Sequence, residues 1–122
     1  MRTGFVGCFR FRRNERLKAR DEIKAVFAQG KKVGCPGAKL FSLNRGTDKT
    51  RIAFTFARKF GNAVERNRSR RISREAFRLV KSRLKRGFDL VLLVYPGNDD
   101  FHRRVRQLDF LFEKAGLFTD VT

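Results

Sequence analysis

Regularly spaced basic side chains are the feature of this sequence best suited to chemistry. Planar guanidinium groups suit bidentate contact with phosphate. Like charges stacked along a helix destabilise it, unless a polyanion supplies the missing negative charge. The pattern therefore predicts a phosphate-binding surface, with a merely solvated helix face as the alternative. The basic residues that share one arc of the predicted helix, with no acidic residue among them, are Arg70, Arg71, Arg74, Arg78, Lys81 and Lys85.

The helix that must position these residues has a clear start. Asn62 follows Gly61 and precedes Glu65 by three residues, the spacing of a capping box. At about 100° per residue, apolar side chains gather on the side opposite the basic arc, so that side is predicted to pack on a sheet. These apolar residues are Ile72, Ala76, Leu79, Val80 and Leu84. Glu75 is placed beside Arg68 and Arg71 by the same spacing.

Net charge identifies the class of partner. The 122-residue chain has 30 Lys and Arg against 12 Asp and Glu, a formal net charge of +18. Residues 1–86 contribute 26 basic and 6 acidic side chains, whereas residues 87–122 contribute 4 and 6. A hydrophobic fraction of 41% with 14 Phe is enough for one packed core and argues against a disordered basic tail. A folded nucleic-acid-binding protein is the first expectation, with an anionic membrane surface second.

Groups that could catalyse hydrolysis are few. His102 is the single histidine and begins the last predicted helix, where a surface or capping role is favoured. Asp99 and Asp100 are better interpreted as helix caps than as metal ligands. Cys8 and Cys35 lack metal-site or CxxC spacing, so we expect reduced thiols in the cytoplasm, with neither a zinc site nor a disulfide. The residues favour a protein that binds nucleic acid without cleaving it.

The remaining pattern predicts a small α+β sandwich. Its last strand is apolar at successive positions, as in an interior strand covered on both faces. The longest apolar run, 90–95, is much too short to span a bilayer. The predicted elements are a helix capped by Asp21 and ended by Gly30, a loop over 31–38, strands at 39–43 and 51–56 forming a hairpin through 44–50, the basic helix, a strand at 89–95, and a helix that starts after Asp99 or Asp100 and ends at Gly116.

Aromatic side chains could add specificity to the electrostatic attraction. Rings beside a basic groove can stack on unpaired bases, and Phe27 and Phe41 are the candidates. The alternative for each is burial in the core. Phe5, Phe9 and Phe11 alternate with arginines near the amino terminus. They fit either an arm that touches RNA or a strand that packs on the body.

Residues 57–78, ARKFGNAVERNRSRRISREAFR, carry a family resemblance. The ungapped pattern KxGNAVxRNRxxRxxREAFR is long and specific, and it closely resembles the signature of the bacterial ribonuclease P protein subunit. Weaker similarity covers roughly residues 14–116. The resemblance implies one RNA-binding domain over residues 14–122, preceded by a flexible basic extension over residues 1–13.

This resemblance implies a function. The chain would be a subunit of a cytoplasmic ribonucleoprotein that removes the 5′ leader from precursor tRNA. The catalytic RNA subunit would perform the hydrolysis with Mg²⁺ bound mainly by the RNA and the substrate. The expected partners are therefore ribonuclease P RNA and precursor tRNA, with no membrane, no DNA and no small-molecule substrate.

The resemblance also implies sites and a topology. The order helix–strand–strand–strand–helix–strand–helix, a two-layer sandwich and a sheet of about four strands are expected. The strand–helix–strand crossover would be left-handed, against the general right-handed rule. Residues expected to bind the RNA subunit are Arg66, Asn67, Arg68, Arg70, Arg71, Arg74 and Arg78. Residues expected to line the cleft for the single-stranded leader are Ile23, Phe27, Phe41 and Lys59.

Two other functions fit the charge. A structural protein that binds ribosomal RNA needs only the same basic surface, and it should bind precursor and mature tRNA equally well. A cationic membrane-active protein is disfavoured, because the apolar side of the basic helix is predicted to pack in the core.

Overall fold

The computed structural model describes residues 15–97 and 99–119. The expected extension over residues 1–13, with its three phenylalanines and Cys8, lies outside the described residues, so that boundary stays a prediction. The elements, in chain order, are α1 (Arg20–Gln29), β1 (Lys31–Cys35), β2 (Ala38–Asn44), β3 (Arg51–Phe56), α2 (Ala63–Val80), a short 3₁₀ turn (Lys81–Arg83), β4 (Phe88–Val94) and α3 (Phe101–Lys114). The α+β class and the element order are confirmed.

β1 occupies a segment for which a loop was predicted, and that prediction was wrong. Lys31 pairs with Ser42 and Cys35 pairs with Ala38, so β1 and β2 form an antiparallel hairpin. Pro36 and Gly37 make its two-residue connection. Gly37 has a φ of +90°, which suits the third position of a type II turn after proline. The glycine and proline that suggested a loop therefore close a hairpin.

The predicted hairpin between β2 and β3 was also wrong. The strand order is β1-β2-β4-β3, so β4 lies between them. β4 pairs antiparallel with β2 and parallel with β3. Its residues Leu90, Val91 and Leu92 are fully buried, as the continuous apolar run predicts. The β3–α2–β4 connection joins parallel neighbours, consistent with the crossover implied by the resemblance.

Side chains of β4 alternate between two apolar clusters. Leu90, Leu92 and Val94 face α2 and α3 and belong to the larger cluster. Val91 faces the other way and packs with Val26 of α1 in the smaller cluster. The sheet with α2 and α3 forms the expected sandwich, and α1 partly covers the opposite face.

The buried face of α2 is rotated from the predicted one. Ala76 and Val80 are buried as expected, but Leu79 is 49% exposed and Ile72 is only partly buried. Leu84 is buried beyond the end of the helix. The side chains that α2 buries are instead Ser69, Ser73, Ala76, Phe77 and Val80.

The helix boundaries follow local chemistry with small differences. α1 begins one residue before Asp21, so Asp21 does not cap the helix as predicted. It lies in the first turn, where its carboxylate interacts favourably with the helix dipole. Gly30 follows α1 as predicted, and a Cβ there would lie 2.5 Å from the carbonyl oxygen of Val26. Asp100 occupies the N-cap position of α3, but its side chain makes no capping hydrogen bond.

Candidate nucleic-acid interface

The start of α2 is fixed by the capping box that the sequence predicts. Asn62 Oδ1 accepts from the backbone N–H of Glu65 at 2.9 Å, and Glu65 Oε1 accepts from the backbone N–H of Asn62 at 2.9 Å. A Cβ at Gly61 would lie 2.4 Å from Glu65 Oε1, so glycine leaves room for that carboxylate. The first exposed turns, which include Arg66 and Arg68, therefore project from a defined position.

Three arginines of α2 point into solvent without an acidic partner. Arg66, Arg68 and Arg71 are exposed, and none of them forms an ion pair within residues 15–97 and 99–119. Asn67 lies among them and accepts a hydrogen bond from Arg70 Nη1 at 2.8 Å. We name these four residues the arginine face: Arg66, Asn67, Arg68 and Arg71.

Arg70 lies on the flank of α2 that faces β3, and Arg74 lies one helical turn further along. The Arg70 guanidinium carbon is 5.1 Å from the centre of the Phe56 ring, a cation–π distance. Burial lowers the pKa of Arg74, and the nearby cations Arg16 and Arg70 lower it further. Burial is the main cause of this lower pKa, and the two neighbouring cations add to it.

Arg78 and Lys81 of the predicted arc pair with carboxylates, whereas Lys85 is exposed and forms no ion pair within the described residues. Arg78 Nη1 donates to the Glu75 carboxylate at 2.8 Å, so Glu75, which was predicted beside Arg68 and Arg71, forms its ion pair with Arg78. Lys81 Nζ lies 2.8 Å from Glu15 Oε1 and is nearly buried. The predicted one-signed arc is therefore partly neutralised, and the exposed guanidinium groups of α2 that form no ion pair within the described residues are those of the arginine face.

A buried arginine that the sequence patterns did not single out supports α2 from α3. Arg104 donates through Nη1 to the hydroxyls of Ser69 and Ser73, through Nη2 to Asp99, and through Nε to Gln107 at 2.8 Å. Burial lowers the pKa of Arg104, whereas the Asp99 carboxylate favours its charged form. The sequence did contain a signal for this contact: Ser69 and Ser73 lie four residues apart on the same side of α2, and buried hydroxyls need a hydrogen-bond partner.

The predicted cleft residues lie on the other face of the sheet. Phe27 of α1 and Phe41 of β2 form an edge-to-face ring pair with centres 4.8 Å apart. Phe27 is 38% exposed, so its ring lines an open surface and is not the fully buried core residue of the alternative interpretation. Ile23 is partly buried and packs against the smaller apolar cluster. The structure thus brings Ile23 and Phe27 of α1 together with Phe41 of β2, between α1 and the sheet.

Lys59 lies apart from these three, in the turn between β3 and α2. The backbone N–H of Phe60 donates to the carbonyl oxygen of Ala57 at 3.0 Å and closes this turn. Lys59 is exposed and has a φ of +68°, the one non-glycine residue with positive φ among residues 15–97 and 99–119. Such strain is retained where the surrounding structure demands it, often at functional sites.

Replacing Lys59 should separate its charge from its backbone strain. Lys59→Gly should raise the free energy of unfolding by up to about 1 kcal/mol. Left-handed backbone costs a residue with a side chain about 1–2 kcal/mol, but glycine loses more conformational entropy on folding, which offsets part of that gain. Lys59→Ala keeps the strain and should not be more stable than the parent. Chemical denaturation of the three proteins measures the difference, and equal stabilities would contradict it.

The groups first considered for catalysis or metal binding have different surroundings. His102 is exposed, with its ring 5.4 Å from that of Phe101. Asp99 pairs with Arg104. Cys35 is a free thiol whose pKa is raised by burial. Within the described ranges there is no group of three or more His, Cys, Asp or Glu side chains arranged to hold a metal ion.

Comparison with known proteins identifies the family. The family model described as Ribonuclease P matches residues 11–116. The ribonuclease P protein component of Dictyoglomus turgidum is 32% identical over 116 residues, spanning 92% of this chain and 98% of that protein. The component of Gluconacetobacter diazotrophicus is 43% identical over 109 residues, spanning 86% and 94%.

Solved structures agree with this. The ribonuclease P protein from Thermotoga maritima is similar with a TM-score of 0.71 and 30% identity, covering 82% of this chain and 96% of that one. The Staphylococcus aureus protein supports the fold with a TM-score of 0.76 at 22% identity, covering 86% and 98%. No helix within the described part of the chain is long and apolar enough to cross a membrane. With its signature on α2, this chain belongs to the bacterial ribonuclease P protein family.

Proposed function

We propose that this chain assists a catalytic RNA in removing the 5′ leader from precursor tRNA, by binding both the RNA subunit and the single-stranded leader in the cytoplasm. Family membership makes it a subunit of a ribonucleoprotein endoribonuclease. The observation that carries the finer proposal is the arginine face, whose exposed Arg66, Arg68 and Arg71 have no acidic partner among the described residues.

The RNA subunit is the proposed partner of α2. The guanidinium groups project from a helix that is held by a capping box and by the buried Arg104. The backbone that carries them therefore need not become ordered when they bind phosphates. Arg70 and Arg74 extend the same surface toward β3. Arg78 contributes less in this proposal, because it already pairs with Glu75.

The leader is the proposed ligand of the opposite face. Aromatic rings that line an open surface can stack on unpaired bases, and Phe27 with Phe41 offers such rings beside exposed Lys32 of β1. Ile23 supplies apolar support from α1, and Lys59 supplies a cation at the turn before α2. The two RNA contacts are thus proposed on opposite sides of one sheet.

Hydrolysis is proposed to occur in the RNA. The described residues do not fit a magnesium site, because no cluster of metal ligands is present among them and buried Asp89 is already bound by Arg45 and Arg51. No chemical step is therefore assigned to a metal on this chain. Mg²⁺ is proposed to be held mainly by the RNA subunit and the substrate.

Reconstitution tests this function. The full chain, added to its ribonuclease P RNA, should lower the Mg²⁺ concentration needed for leader cleavage. It should also favour precursor over mature tRNA. A structural protein that binds ribosomal RNA should give neither effect, so absence of both would overturn the proposal. Copurified RNA identified from the native host provides an independent check.

Removing the ring of Phe27 should weaken leader binding while the chain stays folded. Phe27→Ala should cost about 1–3 kcal/mol of affinity for precursor tRNA, the contribution of one stacked base. Its loss of stability should stay below the roughly 3–5 kcal/mol of a fully buried phenylalanine, because the ring is 38% exposed. Phe110→Ala, which removes an exposed ring on α3, is the matched control. Equal affinities of the two variants for precursor tRNA would contradict a role of Phe27.

A further inference from the structure

Arg104 of α3 lies beneath the turns of α2 that carry the arginine face. Its side chain is 2% exposed, and Nη1 donates to the Ser73 hydroxyl and, at 3.5 Å, to that of Ser69. Ser69 directly follows Arg68, and Ser73 is two residues beyond Arg71. The guanidinium groups that α2 presents to solvent and the hydroxyls that it presents to Arg104 therefore belong to the same helical turns.

Stability alone does not account for a buried guanidinium at this position. Removing a charged group from water is costly, and burial indeed lowers the pKa of Arg104. Replacing a buried ion pair by well-packed apolar residues is often neutral or stabilising. A buried polar contact can instead select one packing arrangement, because every arrangement that leaves its hydroxyls unpaired is penalised.

Arg104 is itself held from two sides. Its Nη2 donates to Asp99, which precedes α3, and its Nε donates to Gln107 Oε1 at 2.8 Å. Gln107 Nε2 in turn donates to the carbonyl oxygen of Pro36 at 2.9 Å. A Cβ at Gly37 would lie 2.8 Å from the same nitrogen, so glycine leaves room for the amide at this turn. Hydrogen bonds therefore run continuously from the β1–β2 turn through α3 to α2.

The orientation of α2 is not the one that its apolar residues alone predict. Leu79 is 49% exposed and Ile72 is only partly buried, whereas two serines of the helix are fully buried. At about 100° per residue, the side chains that α2 buries are centred roughly 60° around its axis from the apolar stripe predicted within the helix. The hydroxyls of Ser69 and Ser73 can be buried in this orientation because Arg104 donates to both.

We infer that Arg104 is a positioning residue for binding of the RNA subunit. Through the two hydroxyls it sets the rotation of α2 about its axis, and so the direction in which Arg68 and Arg71 project. The inference rests on the proposed contact between the arginine face and that RNA. A rotation of roughly 60° would move side chains at the surface of a helix about 10–12 Å wide by about 5 Å, more than a hydrogen bond to phosphate tolerates. Without Arg104, α2 would keep its cations but lose their match to the phosphates.

The first test compares RNA affinity with stability in variants of the full chain. Arg104→Met leaves two buried hydroxyls unpaired and should lower both, with binding to ribonuclease P RNA weakened about 10- to 100-fold, the equivalent of one charge-assisted contact. Adding Ser69→Ala and Ser73→Ala removes those hydroxyls, so the triple variant should regain most of its resistance to urea. Its RNA affinity should stay low, because nothing then sets the rotation of α2. Recovery of affinity together with stability would overturn the inference, since Arg104 would then act only on the fold.

A double-mutant cycle identifies the residues through which Arg104 acts. Arg104→Lys keeps a positive charge beside Asp99 but lacks the planar fork that reaches the carboxylate and both serines at once. It should weaken RNA binding about 5- to 10-fold in the parent, and less than about 2-fold in a chain that already carries Arg68→Gln and Arg71→Gln. An undiminished effect in that background would contradict the inference.

Controls separate this inference from general destabilisation and from the function on which it rests. Val91→Ala, in the core beneath α1, should lower stability but keep the parent's affinity for the RNA subunit. A loss of RNA affinity as large as that of Arg104→Lys would overturn the inference, because any loss of stability would then weaken binding. Equal RNA affinities of the parent and the Arg68→Gln, Arg71→Gln variant would instead overturn the proposed contact of the arginine face itself.

Discussion

Reversing the charge of Arg68 and Arg71 together should weaken binding to the ribonuclease P RNA by about 3–6 kcal/mol. Each exposed guanidinium can supply a charge-assisted hydrogen bond worth about 1.5–3 kcal/mol, and the two losses together correspond to about 10²- to 10⁴-fold in affinity. Both side chains project from α2 without an acidic partner within the described residues, so the fold should remain intact. Titration of labelled RNA at several salt concentrations measures the loss.

A second double variant controls for net charge. Arg106→Glu with Lys114→Glu changes the charge of the chain by the same amount on the exposed side of α3. It should weaken RNA binding much less, because only long-range attraction is reduced there. Equal losses from the two pairs would mean that total charge, and not the arginine face, determines affinity. Unchanged thermal unfolding of both variants would show that neither effect comes from misfolding.

Removing the Asp89 carboxylate should lower the free energy of unfolding by about 3–5 kcal/mol, the usual cost of breaking a buried ion pair. Asp89 is 1% exposed. Its oxygens accept from Arg51 Nε at 3.0 Å and Nη2 at 2.9 Å, and from Arg45 Nε at 3.2 Å. Asp89→Ala leaves both guanidinium groups without this partner. Urea denaturation measures the change, and Asp48→Ala in the exposed β2–β3 connection is the control.

Asp89→Ala should also affect the proposed leader cleft, because Asp89 binds Arg51. Arg51 Nη2 also donates to Glu22 of α1 at 3.1 Å, so Asp89 helps to hold the arginine that links β3 to α1. We expect Asp89→Ala to weaken leader binding as well, while Asp89→Asn, which keeps the side-chain size and can still accept a hydrogen bond, should lose less stability. A loss of unfolding free energy below about 1 kcal/mol for Asp89→Ala would contradict a buried, charge-paired role.

Local signals predicted the elements that determine their own geometry. Asn62 and Glu65 contain the whole capping box, so the start of α2 could be predicted to the residue. The unbroken apolar run of β4 likewise predicted a strand buried on both faces. In these cases the information lies within a few consecutive residues.

Partners distant in sequence account for what the patterns missed. β2 and β3 are joined by a short connection, yet β4 inserts between them after a crossover through α2, and no local periodicity records that choice. Leu79 was predicted to be buried, but α2 instead buries Ser69 and Ser73, whose hydroxyls accept hydrogen bonds from Arg104 of α3.

Alternate side chains of β4 pack beneath the two surfaces that are proposed to bind RNA. Leu90, Leu92 and Val94 lie beneath α2, whereas Val91 lies beneath α1. A substitution in β4 that changes the packing beneath α2 therefore need not change the packing beneath α1. Under the proposed function, each face of the sheet can therefore change to suit its own RNA without altering the packing beneath the other face.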